Sequence, residues 1–130
     1  MTKKPRVLIA DDHPDLVKAI TRVLTLDYEV VGVVSDGSAV PEAAQRLKPD
    51  VIVLDLNLPN VSGLEACRQI TQANPAAKVI VFTAMDDPHL RQRALDVGAS
   101  AFVCKVASDG DLLATINRLC FDGGEAAPSS

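Results

Sequence analysis

Short, fully apolar runs alternate along the chain with segments whose apolar residues recur every three or four positions. Val7-Leu8-Ile9-Ala10, Val30 to Val34, Val51-Ile52-Val53-Leu54, Val79-Ile80-Val81-Phe82 and Ala101-Phe102-Val103-Cys104 each read as a strand. The third is apolar at every position, as expected of a parallel strand covered on both faces. Leu16, Ile20, Val23 and Leu24 recur at helical spacing. Ser38 to Leu47 reads as a helix stopped by Lys48-Pro49. Ser62-Gly63-Leu64-Glu65 has capping-box spacing, and its helix should reach about Asn74-Pro75. Asp87-Pro88 fits an N-cap followed by proline at the first helical position. Gly98 stands where a C-terminal cap belongs. Leu112, Leu113, Ile116, Leu119 and Cys120 mark the buried stripe of a last helix. Five strand–helix alternations predict an α/β domain, a parallel five-stranded sheet between two helical layers with right-handed crossovers.

Composition narrows the function. At 130 residues the chain suits one domain, and 48% hydrophobic with 23% charged residues is ordinary globular composition. A net charge of −4 argues against a nucleic-acid-binding domain. Aromatics are 3% with no Trp, so the core must be aliphatic. Cys67, Cys104 and Cys120 form no CxxC pair and read as small buried hydrophobes of a reducing compartment. The apolar run after the basic start is far too short for a secretory segment, and no run approaches the roughly 18 residues of a membrane span. The expectation is a soluble, cytoplasmic protein with no membrane partner. Residues 122–130, Asp-Gly-Gly-Glu-Ala-Ala-Pro-Ser-Ser, have the composition of a linker and are expected to form a flexible tail after a domain spanning residues 1–121.

The candidate chemistry lies just past the strands. In open α/β sheets, ligands bind outside the carboxyl ends of the strands. Asp11-Asp12 follows the first strand, Asp55 the third, Thr83 the fourth and Lys105 the fifth. Clustered carboxylates with room for water suit Mg²⁺. A lysine and a hydroxyl would bind phosphoryl oxygens, and a carboxylate can itself attack phosphorus. A lone Asp after a strand is usually a turn or cap residue. Five such residues in this order on four strand ends are another matter.

That set resembles the receiver domain of two-component response regulators over about Arg6 to Leu119. The matched residues are Asp11, Asp12, Asp55, Thr83 and Lys105, with Asn57-Leu58-Pro59, Gly63, Ala84 and Phe102 around them. The resemblance implies the flavodoxin-like (βα)5 fold with strand order 2-1-3-4-5. It implies Asp55 as phospho-acceptor. Mg²⁺, with Mn²⁺ as a substitute, would be held by Asp12, Asp55 and the Asn57 backbone carbonyl, and by Asp11 through a water. Lys105 and Thr83 would contact the phosphoryl group. Thr83 and Phe102 would switch the surface of the fourth helix, fifth strand and fifth helix. The implied partners are a sensor histidine kinase or a phosphotransfer protein, with homodimerisation on phosphorylation. Asp15, Lys18, Ala19 and Arg22 are the expected kinase contacts.

Asp11-Asp12-His13-Pro14 resembles the NarL/FixJ (LuxR-type) subgroup, which carries a helix-turn-helix DNA-binding domain after a linker. DNA contact is therefore expected only through such a domain. His13 is assigned to the first loop or the helix start rather than to catalysis or the metal, having no partner His, and His89 to an exposed helix surface. Val106-Ala107 after the lysine and Met85 near the acceptor depart from the common pattern. Three rivals remain. A haloacid-dehalogenase-type phosphatase expects a second Asp where Asn57 stands. A flavin carrier needs a phosphate loop where Asp11-Asp12-His13-Pro14 would repel one. A receiver-like module that signals by binding alone usually lacks one of the acceptor-site residues.

Overall fold

A computed structural model describes residues 4–105 and 109–122. The expectations for Val106-Ala107 and for the tail beyond Asp122 fall outside them. The strands are β1 (Arg6–Ala10), β2 (Glu29–Val34), β3 (Val51–Leu54), β4 (Val79–Thr83) and β5 (Ala101–Cys104). They form one parallel sheet in the order β2-β1-β3-β4-β5, as the resemblance implied. The helices are α1 (Pro14–Leu24), α2 (Val40–Leu47), α3 (Gly63–Ala73), α4 (Pro88–Asp96) and α5 (Asp109–Asn117).

Strand alternation divides the interior into two aliphatic layers. Leu8, Ala10, Ile52, Leu54, Val79, Val81 and Phe102 face the layer of α2, α3 and α4. Val7, Ile9, Val51, Val53, Ile80, Phe82 and Val103 face the layer of α1 and α5. The three central strands have no exposed residue, except that Arg6 at the start of β1 is half-buried. β2 lies at the edge and its Val33 is exposed.

Helix ends follow the local chemistry. Pro14 opens α1 and Pro88 opens α4, each in the first turn where its missing N–H costs nothing. The Asp87 side chain accepts from the His89 amide at 2.9 Å. Gly98 has φ +106°, its N–H donates to Leu95 O, and the Ala99 N–H donates to Ala94 O, both at 3.0 Å. This paired arrangement closes α4 by satisfying its last carbonyls.

Three ends depart from expectation. The turn before α2 is a 3₁₀ turn (Gly37–Ala39), because the Asp36 carboxylate accepts from Ser38 N at 2.8 Å and tightens it. In α3 only half of the capping box forms: Ser62 Oγ accepts from Glu65 N at 3.3 Å, while the Glu65 carboxylate turns to Arg68 and Gln69. The last helix loosens after Asn117 into a π turn (Arg118–Asp122), yet Leu112, Ile116 and Leu119 are buried as the stripe predicts. Leu113 and Cys120 on that stripe are half-buried.

Candidate functional site

The sheet itself delivers the site residues. The Asp11 N–H donates to Val34 O and the Asp55 N–H to Ala10 O, both at 2.9 Å, so the ladder extends one residue past the strands. The Lys105 N–H donates to Thr83 O at 2.7 Å. Asp11, Asp55 and Thr83 are buried at 3%, 2% and 1% exposure. Three polar side chains buried at strand ends, among an aliphatic core, need partners.

Lys105 supplies the charge. Its Nζ lies 2.9 Å from Asp11 Oδ2 and 3.3 Å from Asp55 Oδ2. The same ammonium stands 5.7 Å from the centre of the Phe82 ring. Asp55 Oδ1 accepts from the Asn57 N–H at 3.2 Å. Burial pushes the Asp55 carboxyl above the ordinary carboxylate range, opposed by the Asn57 amide and by Lys105. A cation at the cluster would oppose that shift further.

The β3–α3 turn holds Asp55 from below. The Gly63 N–H donates to Leu56 O at 2.9 Å. A Cβ on Gly63 would fall 2.3 Å from Asp55 O and 2.5 Å from Leu56 Cα. Only glycine lets the start of α3 approach the acceptor turn this closely.

Thr83 ends β4 with its hydroxyl accepting from Met85 N at 3.4 Å. Asn57 and Met85 are exposed on the loops beside the acceptor. Phe102 is buried on the side of α2, α3 and α4, with the Arg91 guanidinium 4.9 Å above its ring, and strand alternation puts Thr83, two residues on from its partner Val81, on that same side. The structure thus gathers Asp11, Asp12, Asp55 and Lys105 at one point, with Thr83 at the adjoining strand end. Phe102 lies on the neighbouring strand β5, on the same side as Thr83.

His13 belongs with the cluster as well as at the helix start. It is the N-cap residue of α1, as expected. Its backbone N–H donates to Asp11 Oδ1 at 3.0 Å, an Asx turn that aims the ring inward. Nδ1 then sits 2.6 Å from Asp11 Oδ1, 3.4 Å from Asp12 Oδ1 and 3.7 Å from Asp55 Oδ2. The hydrogen bond that the Asp11 carboxylate accepts from the ring, then its charge, raises the imidazole above its ordinary value. The partner of His13 is thus not a second His but the carboxylate two residues back, Asp11.

The ligand atoms of Asp11, Asp12, His13 and Asp55 lie within 4.8 Å of one another. Three hard carboxylates around one point, two of them buried, fit a divalent cation such as Mg²⁺.

Residues 7–117 match the family model described as the response regulator receiver domain. The chain belongs to the response-regulator receiver family. Among curated relatives, the receiver is 38% identical over 121 residues to the response regulator GacA of Pseudomonas viridiflava, covering 91% of this chain and 56% of that protein. It is 30% identical over 115 residues to the chemotaxis protein CheY of Thermotoga maritima, covering 88% of this chain and 96% of that protein. The chain therefore spans just over half the length of GacA and nearly all of CheY. Among solved structures, the receiver domain of a putative response regulator NarL from Mycobacterium tuberculosis superposes with a TM-score of 0.85 at 27% identity, covering 97% of this chain and 100% of that one. The receiver domain is a signalling module of two-component systems, and receivers bind Mg²⁺ at such an acidic pocket. No helix among the described residues is long and apolar enough to cross a membrane.

Proposed function

We propose that Asp55 accepts a phosphoryl group from the phosphohistidine of a sensor histidine kinase or phosphotransfer protein. The observation that carries this reading is the Lys105 ammonium held between Asp55 and Asp11, at 3.3 and 2.9 Å. A cation so placed offsets the repulsion between two buried carboxylates and can follow the charge of an arriving phosphoryl group.

One Asp55 carboxylate oxygen attacks phosphorus as the phosphorus–nitrogen bond to the donor imidazole breaks. The bonding pair leaves with the imidazole, and the product is an aspartyl phosphate. Lys105 binds one phosphoryl oxygen and the Thr83 hydroxyl donates to another. Mg²⁺, or Mn²⁺ in its place, neutralises phosphoryl charge when bound. Asp12 and Asp55 side chains and the Asn57 carbonyl would hold it, with Asp11 acting through a water. Hydrolysis by water restores Asp55, so the only catalysis is of the domain's own phosphorylation and dephosphorylation.

The signal leaves through Thr83 and Phe102 to the surface of α4, β5 and α5, a two-state element biased by local charge. Asp15, Lys18, Ala19 and Arg22 are all exposed on α1, available to a kinase. Residues 1–121 form the receiver and 122–130 a linker to an output domain, a helix-turn-helix acting on transcription in the cytoplasm. Phosphorylation favours a homodimer.

Beryllofluoride with Mg²⁺, followed by amide NMR, tests the site and switch together. Shifts at Thr83, Phe102 and along α4 in wild type, missing from Asp55→Asn, are expected. Shifts that persist in Asp55→Asn would overturn the acceptor assignment.

A further inference from the structure

We propose that His13 is a nitrogen ligand in the acidic pocket and biases it toward borderline transition ions such as Mn²⁺, Co²⁺ and Zn²⁺, relative to a pocket of oxygen donors alone. The inference deepens the proposed function, on which it rests for the place of the cation. Two donors at right angles on one ion, each about 2.1 Å away, stand about 3.0 Å apart, and opposite donors about 4.2 Å. His13 Nδ1 lies 3.4 Å from Asp12 Oδ1 and 3.7 Å from Asp55 Oδ2, between those limits. Its 2.6 Å bond to Asp11 Oδ1 needs to open by only a few tenths of an ångström.

The ring is pre-aimed. The Asx turn from Asp11 Oδ1 to the His13 amide fixes the backbone, and Pro14 fixes the next φ. A ligand held this way loses little freedom on binding. A cation at Nδ1 takes the place of any proton there, which passes to solvent. Imidazole adds little for Mg²⁺, which prefers oxygen and keeps its waters, but strengthens binding along the series from Mn²⁺ to Zn²⁺.

The test uses His13→Ala and His13→Asn, the second retaining a strong N-cap residue. Co²⁺, Zn²⁺ and Mg²⁺ affinities are measured by calorimetry, and the Co²⁺ form is examined by paramagnetic proton NMR. Wild type should show a hyperfine-shifted, exchangeable imidazole N–H, absent from both variants. Co²⁺ and Zn²⁺ affinities should fall roughly 10-fold or more, with Mg²⁺ affinity within about 2-fold of wild type. Equal loss for all three ions, or no loss for any, would overturn the ligand role. Failure of wild type to bind Mg²⁺ at all would instead overturn the reading on which the inference rests.

Discussion

Gly63 and Asp55 are in backbone contact: a Cβ on the glycine would meet the Asp55 carbonyl oxygen at 2.3 Å. The neighbour it meets is main chain, which cannot swing aside, so the acceptor turn or the start of α3 must shift. Gly63→Ala should therefore cost about 1–3 kcal/mol of stability, as overpacking does. Beryllofluoride binding should weaken with it. Urea unfolding checks the first expectation and a fluoride-dependent NMR titration the second. A variant of wild-type stability and wild-type binding would show that the turn is not held by this contact.

Lys105 bridges Asp55 and Asp11, so removing its charge leaves two buried carboxylates facing each other. Lys105→Ala should still accept phosphate from phosphoramidate, at a rate lower by ~10²-fold, the usual loss of one preorganised electrostatic partner. It should also fail to pass the signal to α4. Stopped-flow or quench kinetics read the rate, and amide shifts read the output. Normal switching in this variant would contradict the role given to the lysine.

The cysteines should differ in reactivity. Cys67 is fully buried, and burial pushes its thiol up to about 11. Cys104 is also buried, whereas Cys120 is half-buried within the π turn. Under native conditions iodoacetamide should label Cys120 first and Cys67 only on unfolding. Peptide mass spectrometry over time gives the order, and early labelling of Cys67 would contradict the packing of α3.

Hydrogen bonds from Arg68, then Gln69, lower the Glu65 carboxyl to about 2. Its folded value lies below the unfolded one, so its contribution to stability is present above about pH 4.5 and disappears as pH falls toward 2. Glu65→Gln should thus be slightly less stable than wild type at pH 7, with the gap narrowing between pH 5 and pH 3. Urea midpoints at three pH values measure this. A gap that stays constant would mean that the ion pair contributes nothing.

The fold was legible because every central strand is written as an unbroken apolar run, and the residue after each run is the one the sheet carries to its carboxyl edge. Asp11, Asp55 and Lys105 could be placed from that fact alone. Helix ends were legible where one residue decides them, as at Asp87-Pro88 and Gly98. They were less so where side chains compete: Glu65 has Arg68 and Gln69 within a turn and chooses them over the Ser62 amide. The turn before α2 tightened because Asp36, outside the expected helix, caps it. His13 was half legible. The lack of a partner His put it in the first loop or at the helix start, but its ring position depends on an Asx turn that spacing alone does not specify. Arg91 over Phe102 joins α4 to β5 across the fold, and no local pattern announces such a pair.

The central claim is that Asp55 is the phospho-acceptor of a Mg²⁺-dependent switch. Intact mass after incubation with phosphoramidate tests it most directly, with wild type beside Asp55→Asn, each with Mg²⁺ and with chelator. The account predicts a single added phosphate in wild type with Mg²⁺, and none in the variant or after chelation. Incorporation into Asp55→Asn, or incorporation indifferent to Mg²⁺, would contradict it.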